Sequence, residues 1–394
     1  MAEVKKRSLG VYVHWPFCKK KCPYCDFNSH VREEIDQKAW LDSFRQEIFS
    51  YKDRIGGRPV HSIYFGGGTP SLMAPYVVEG VLEAINDVWC VDSGCEITLE
   101  ANPTSSEADK FKAFRAVGIN RLSVGVQAFN DKDLTFLGRE HSVLEAQHVI
   151  DLARDIFPRY SFDLIYARPE QTVQEWEDEL LRALEFSVGH ISLYQLTIEQ
   201  GTQFYTAFNR GDFALPDDDV SADLYERTDD ILKYHGFSHY EVSNFAKENH
   251  QSRHNLGYWR YEDYIGIGPG AHGRFKDENG VKYATRTHKA PEIYRDLVVS
   301  QGSGLKDVEV IDPRDQFIEM MMMGLRLDEG VFKDYIRQET GKNLNDWLDG
   351  RFINSLIKES YFVENKEKIS MTRQGRMRLN ACLSSMMDYI QNKA

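Results

Sequence analysis

From residue 11 to about residue 198 the chain alternates two patterns of apolar and polar positions. Short runs rich in β-branched and aromatic residues predict six strands: VYVHWP (11–16), SIYFGGG (62–68), EITLEANP (96–103), RLSVGVQ (121–127), FDLIYARP (162–169) and ISLYQLTI (191–198). Between them lie stretches with apolar residues at i, i+3, i+4 and i+7, which predict helices over 33–51, 74–89, 105–118 and 172–187. Ser105 or Ser106 and Thr172 are expected N-caps, and Gly118 an expected C′ residue. Strands alternating with helices imply a parallel sheet of right-handed βαβ units, and six such units can curl into a partial (β/α)6 barrel of the TIM type, an α/β fold. The glycines and polar residues fall at the ends of the strands. GGGTP, EANP, VQAFN and DLIY are therefore expected to face one cavity.

Beyond residue 200 the alternation weakens. A helix over 220–236 precedes an extended HYEVSNFA (239–246), then HNLGYW (254–259) and the glycine-rich YIGIGPGAHG (264–273). The last part becomes helical, and YFVENKEKISM followed by an apolar-periodic run predicts a hairpin and a final helix, a winged-helix-like tail. Three regions follow: a core over 1–205, a connecting region over 206–305 and a helical C-terminal domain over 306–394.

Composition narrows the functional class. With 394 residues, 42% hydrophobic and 28% charged, the chain has the make-up of a folded globular protein of two or three domains. The formal charge of −13, with basic residues scattered, argues against nucleic acid as a partner. The basic opening lacks the apolar segment of a signal peptide, and no apolar run approaches the 18 residues of a membrane span, so a cytoplasmic location is expected.

Three of the six cysteines, Cys18, Cys22 and Cys25, fall within eight residues, which is not the distribution of a secreted disulfide framework. In C-x3-C-x2-C spacing, each thiolate can hold one iron of a [4Fe-4S] cluster and leave the fourth iron open. Structural zinc, borrowing His14 or His30 as its fourth ligand, and three incidental thiols remain alternatives. Cys90, Cys95 and Cys382 read as idle or buried thiols.

The cysteine spacing just after the first strand, GGGTP in the second and the six-unit alternation together resemble the radical S-adenosylmethionine (SAM) superfamily. That resemblance implies that SAM chelates the open iron and that reduction releases a deoxyadenosyl radical. The pocket residues suit such a ligand. Gly66, Gly67 and Gly68 expose backbone groups, Thr69 adds a hydroxyl, Glu100 can accept from an ammonium or a ribose hydroxyl, Arg139 can pair with a carboxylate and Asp163 can bind ribose.

Five stretches, YVHWPFC (12–18), FGGGTP (65–70), LEANP (99–103), GVQAFN (125–130) with Arg139 beyond it, and FDLIY (162–166), are similar to the group that holds oxygen-independent coproporphyrinogen III oxidase and a haem-chaperone family. The resemblance implies SAM contacts from Tyr12, Tyr24, Gly67, Gly68, Thr69, Glu100, Gln127, Arg139 and Asp163. DLIY is followed here by Ala-Arg-Pro, where Gly-Leu-Pro is usual. The oxidase pattern continues to a fourth cysteine where Phe27 stands here, and carries a longer segment before its first strand. C-x3-C-x2-C followed by DFNS, together with HNLGYW, resembles the chaperones instead. Their H-N-x-x-Y-W motif implies haem binding, with His254 as axial ligand and Tyr258 and Trp259 as an aromatic wall.

Other features have plainer readings. His250 and His254 stand i, i+4, yet their Asn, Ser and Gly neighbours favour a loop over a helical metal face. Met320–Met323 reads as helix packing, and GIGPGA lacks the helix a dinucleotide site requires. The expected function is a haem chaperone with a [4Fe-4S] cluster, SAM and haem, handing haem to an acceptor protein. Coproporphyrinogen III oxidation is the alternative, and a radical-SAM enzyme of unrelated substrate a third reading. The sequence leaves the acceptor and the oligomeric state, a homodimer among the options, open.

Overall fold

The structure, a computed structural model, describes residues 8–392; the basic opening over 1–7 lies outside the described residues. Six strands, β1 (Leu9–Trp15), β2 (Pro59–Gly67), β3 (Cys90–Ala101), β4 (Arg121–Gln127), β5 (Arg159–Tyr166) and β6 (His190–Gln195), run parallel and adjacent in chain order. Helices α1 (Gln37–Ser50), α2 (Pro75–Val88), α3 (Phe111–Ala116), α4 (Val143–Ile156) and α5 (Val173–Leu184) fill the crossovers, and α6 (Asp218–Tyr234) follows β6. This is the partial (β/α)6 barrel that the alternation implies.

Period 2 explains how the strands build the barrel. Leu99, Leu122, Val124, Phe162 and Ile191 are fully buried under the helices. The alternate positions, Glu100, Arg121, Ser123, Asp163, Ser192 and Tyr194, line the cavity within. Register holds this polar set level, with Glu100 opposite Ser123 and Asp163 opposite Ser192.

The stretch over 206–305, read as a connecting region, supplies both flanks of the same sheet. β7 (Ser238–Glu241) and β8 (Asn244–Ala246) add antiparallel beyond β6. The helix α7 (Arg253–Trp259) leads to β9 (Tyr264–Ile267), which pairs parallel to β1. β10 (His272–Lys276), β11 (Lys282–Thr287) and β12 (Leu305–Val310) then extend that edge antiparallel, giving a twelve-stranded open sheet.

The C-terminal part forms its own core around Phe317, Met320, Met321, Ile336, Trp347, Ile353 and Ile369. Helices Pro313–Gly324, Lys333–Thr340 and Gly350–Lys358 pack with a small antiparallel sheet that includes the hairpin Phe362–Glu364 and Lys368–Met371, and Leu379–Asn392 closes the chain. In the methionine run Met320 and Met321 are therefore helix packing, while Met322 is exposed.

Local signals held in part. Thr172 caps α5 in a reciprocal capping box with Glu175, and Gly118 at φ +116° follows α3. The short helix Ser105–Ala108 is preceded by Thr104 as N-cap, in place of Ser105 or Ser106. Among the described residues no helix is long and apolar enough to cross a membrane.

Candidate functional site

The loop after β1 is pinned at both ends. Phe17–Cys18 pairs in parallel with His30–Val31, and within the loop the Cys25 amide donates to the Cys22 carbonyl at 3.1 Å. All six cysteines are free. The Thr69 hydroxyl donates to Cys18 Sγ at 3.4 Å, and Arg139 Nη1 donates to Cys22 Sγ at 3.3 Å. Burial pushes the Cys18 and Cys25 thiols up. Both therefore favour a cationic partner that would stabilise the thiolate.

Zinc fits these residues poorly. Among the described residues no three His, Cys, Asp or Glu side chains group closely enough to hold a single ion. His14 is already committed, with Nδ1 bonded to the Tyr12 hydroxyl and Nε2 to the Asn28 carbonyl oxygen, both at 2.9 Å. Three thiols on one cavity wall instead fit a cluster that takes one thiolate per iron.

The end of β2 shows why glycine is required beside the thiols. Gly67 holds φ +112°, and a Cβ on Gly68 would stand 2.6 Å from the Phe17 carbonyl oxygen. The Gly68 amide donates to the Trp15 carbonyl at 2.7 Å and the Thr69 amide to the Phe17 carbonyl at 2.8 Å, which locks the turn onto the cysteine loop. Gly67 N–H points instead at Glu100 Oε2, 3.3 Å away, while the Tyr64 hydroxyl donates to Oε1 at 2.7 Å. Burial lifts the Glu100 carboxyl to about 7 and that of Asp163 to about 6. Arg139 Nη2 donates to Asn102 Oδ1 and to the Gly125 carbonyl, each at 2.7 Å, so one guanidinium ties the ends of β3 and β4 to the cysteine loop.

These groups share a cavity of about 1160 Å³. It exceeds the roughly 300–1,000 Å³ typical of one small ligand. Cys18, Cys22, Cys25, Tyr24, Gly67, Gly68, Thr69, Glu100, Gln127, Arg139 and Asp163 all line it. Gln127 does so from a positive φ of 77°, at a register irregularity between Val124 and Gln127 in the pairing of β4 with β5. The outer part of the cavity is also lined by the C-terminal region, through Arg326, Arg376, Met377, Arg378 and Leu379.

Two expected site residues lie elsewhere. Tyr12 does not reach the cavity; its hydroxyl bonds His14 and its ring stacks on Tyr64, 6.2 Å between centroids. His254 is not an open axial ligand, and HNLGYW is not a loop but most of α7. The His254 ring is buried, with Nδ1 bonded to the Ser62 hydroxyl at 2.9 Å and Nε2 to the Tyr258 hydroxyl at 2.8 Å. Neither nitrogen faces a space that could admit a macrocycle. His250 lies before the Ser252 N-cap, so the two histidines share no helical face.

Sequence reasoning missed Asn102, Tyr64 and the C-terminal side chains. Asn102 binds Arg139, donates to the Thr69 hydroxyl at 3.2 Å and is held through its amide by Glu107 at 2.8 Å. Its place inside EANP was a signal for it. Nothing in the sequence near Met377 and Arg378 points to this cavity.

Comparison with known proteins agrees with this geometry. The model of the Radical SAM superfamily matches residues 12–183, and that of the HemN C-terminal domain matches residues 311–378. The chain is 38% identical over 381 residues to the heme chaperone HemW of Haemophilus influenzae, covering 95% of this chain and 97% of that protein. It is 34% identical to the heme chaperone HemW of Bacillus subtilis, over 93% of this chain and 96% of that one. A mitochondrial relative from Danio rerio, radical S-adenosyl methionine domain-containing protein 1, is 37% identical over 87% of this chain and 81% of its own. Among solved structures, coproporphyrinogen III oxidase (HemN) of Escherichia coli superposes with a TM-score of 0.80 at 24% identity, over 98% of this chain and 91% of that one, a likeness of fold.

Proposed function

Since the chain belongs to the radical SAM superfamily and, within it, to the HemW haem-chaperone family, we propose that it is a haem chaperone that carries a [4Fe-4S] cluster and SAM, binds haem and passes it to an acceptor protein. The observation that carries this reading is the single cavity in which three thiols, the Gly67–Thr69 turn, Glu100, Gln127, Arg139 and Asp163 meet beneath the C-terminal domain.

Cys18, Cys22 and Cys25 would hold the cluster, whose open iron supplies a site for the amino and carboxylate groups of SAM. Gly67 and Glu100 offer an amide and a buried carboxylate to such a ligand, and Asp163 offers an acceptor for ribose hydroxyls. Arg139 orders the wall between them and donates a hydrogen bond to Cys22 Sγ. Thr69 donates to Cys18, which favours its thiolate. For haem, the outer cavity presents exposed Phe27 and Met377 beside Lys20, Lys21 and Arg378, a pairing of apolar surface and cations that suits a flat apolar ring with carboxylate arms.

The test is anaerobic reconstitution of the full chain, with iron and sulfide counted, SAM binding measured by equilibrium dialysis and haemin titrated through its Soret band. About four irons per chain, saturable SAM and a one-to-one haemin complex that releases haem to an apo-haemoprotein are expected. The oxidase reading, favoured by a cavity roomy enough for a tetrapyrrole beside SAM, makes the opposite prediction. Robust conversion of coproporphyrinogen to protoporphyrinogen by the reduced protein, followed by mass spectrometry, would displace the chaperone assignment.

A further inference from the structure

The helix α7 closes the barrel from the end opposite the thiols. Glu96, at an inward position of β3, receives its first amides: Oε1 accepts from Arg253 N–H at 2.8 Å, His254 N–H at 3.2 Å and the Ser252 hydroxyl at 3.4 Å. Its Oε2 is held by Arg159 Nη1 at 2.6 Å. The His254 side chain then rises into the barrel between β1 and β2. It packs beside Gly10, where a Cβ would make only ordinary contacts, 3.6 Å from His254 Cε1 and 3.4 Å from Ser62 Oγ.

Inside, the imidazole has four neighbours, one of them Tyr12, whose ring lies 6.5 Å away between centroids. Ser62 and Tyr258 hold its two nitrogens, and its face stacks on Tyr64 at 5.1 Å between centroids, 23° from parallel. Tyr64 has one hydroxyl proton to give, and gives it to Glu100. Glu100 in turn is the acceptor facing the Gly67 amide. The chain of contacts from α7 to the cavity is therefore continuous: Ser62 and Tyr258 to His254, His254 to Tyr64, Tyr64 to Glu100, Glu100 to Gly67.

We propose that His254 is a positioning residue of the SAM site, which fixes the Tyr64 ring and, through the tyrosine hydroxyl, the orientation of Glu100. The inference rests on the assignment of Glu100 and Gly67 to SAM made above, and it gives HNLGYW a role in the cluster cavity in place of haem ligation. Burial holds the imidazole well below its usual protonation range, at about 3, so it acts as a neutral bridge at every pH the protein meets. A neutral imidazole between two hydroxyls is satisfied in either tautomer, since each hydroxyl can donate or accept.

The test compares wild type with His254→Ala, His254→Gln, Tyr64→Phe and the double variant His254→Ala/Tyr64→Phe, as reconstituted full-length protein. His254→Ala and Tyr64→Phe are each expected to weaken SAM binding on the order of tenfold, and the double variant no further than the worse single one, because both changes break one chain of contacts. Glutamine can bridge Ser62 and Tyr258 with its amide, so His254→Gln should recover most of the affinity. Haemin affinity and the Soret position should match wild type throughout. A crystal structure of cluster-free His254→Ala should show the Tyr64 hydroxyl drawn away from Glu100, a readout independent of SAM. Unchanged SAM affinity, full additivity, loss of the haem spectrum on losing His254, or a Tyr64–Glu100 bond retained in that crystal would each overturn the proposal. Failure of wild type to bind SAM would sink the underlying assignment, while the crystallographic arm would still decide the role of His254. If the alanine variant does not fold, His254→Gln and Tyr64→Phe carry the comparison.

Discussion

At the scale of single residues, the site depends on side chains that do two tasks at once. Arg139 is the clearest case, because its guanidinium reaches Cys22 Sγ, Asn102 Oδ1 and the Gly125 carbonyl together. A lysine keeps the charge but has neither the plane nor the reach to hold three acceptors. Arg139→Lys is therefore expected to keep the cluster and to weaken SAM by about tenfold or more, as loss of one charge-assisted hydrogen bond of roughly 1.5–3 kcal/mol implies. Iron content and equilibrium dialysis read the two effects separately; equal losses of both would show that Arg139 serves only the thiol loop. Glu100 adds a pH dependence. Burial raises its carboxyl to about 7, opposed by the Tyr64 and Gly67 hydrogen bonds. Only the ionised form can accept from a ligand donor with both oxygens, so SAM affinity should fall as pH drops from 8 towards 6. Glu100→Gln should flatten that profile, and a slope that survives the substitution would remove Glu100 from the contact.

At the scale of elements, the contrast between the barrel strands and α7 shows what the sequence could reveal. The six strands and their helices were legible because switching between periods 2 and 3.6 is a local signal, and each strand end carried its own glycine or polar residue. GGGTP, EANP and VQAFN were placed around one cavity for that reason. By contrast α7 is seven residues long, holds Gly257, and draws its amides to Glu96, an acceptor more than 150 residues earlier in the chain. No local pattern carries such a partnership, so HNLGYW read as a loop with a free histidine. The flanking strands β10 to β12 were missed for a related reason: runs such as LKDVEV are mostly exposed, valines included, and become strands only by pairing on an existing edge. The Glu96 anchor makes a prediction at this scale. Glu96→Ala removes the acceptor for the first turn of α7 and the ion-pair partner of Arg159, which keeps the Gln251 carbonyl, and losing charge-assisted bonds of this kind costs about 1.5–3 kcal/mol. Thermal unfolding should show a large drop in midpoint, and SAM affinity should fall with it, whereas a near-neutral midpoint would mean that α7 is held by other contacts.

At the scale of the whole molecule, buried titratable groups of opposite kind set stability against pH, and their windows overlap. Glu47 on α1 ties that helix to the flank of the sheet, accepting from the Gly268 amide at 2.8 Å, the Gly304 amide at 3.2 Å and the Tyr294 hydroxyl. Burial lifts its carboxyl from 4.5 to about 7. A carboxyl raised on folding binds its proton more tightly in the native state, so its contribution is full below about pH 4.5 and is lost as pH rises to about 7. The buried histidines run the other way. His14 and His141 are lowered by burial to about 4, and His239 and His254 to about 3. The unfolded chain takes up those protons first, so their contribution is present above about pH 6.5 and falls as the solution is acidified. Asp263 stays outside this contest: burial raises it, Lys282 and Arg58 outweigh that, and its carboxyl is held below 3.8. Between about pH 4.5 and 6.5 the two kinds of group oppose one another, but four histidines act against one carboxyl, so the intact protein should lose stability as the solution is acidified through this window. A single substitution isolates the contribution of the carboxyl. Relative to Glu47→Gln, wild type should lose about 3 kcal/mol between pH 4 and pH 8, the free energy that corresponds to a carboxyl moved from 4.5 to about 7. Urea unfolding of both proteins at each pH measures that difference directly. Parallel curves would show that Glu47 keeps an ordinary carboxyl in the fold, its hydrogen bonds to Tyr294, Gly268 and Gly304 offsetting its burial.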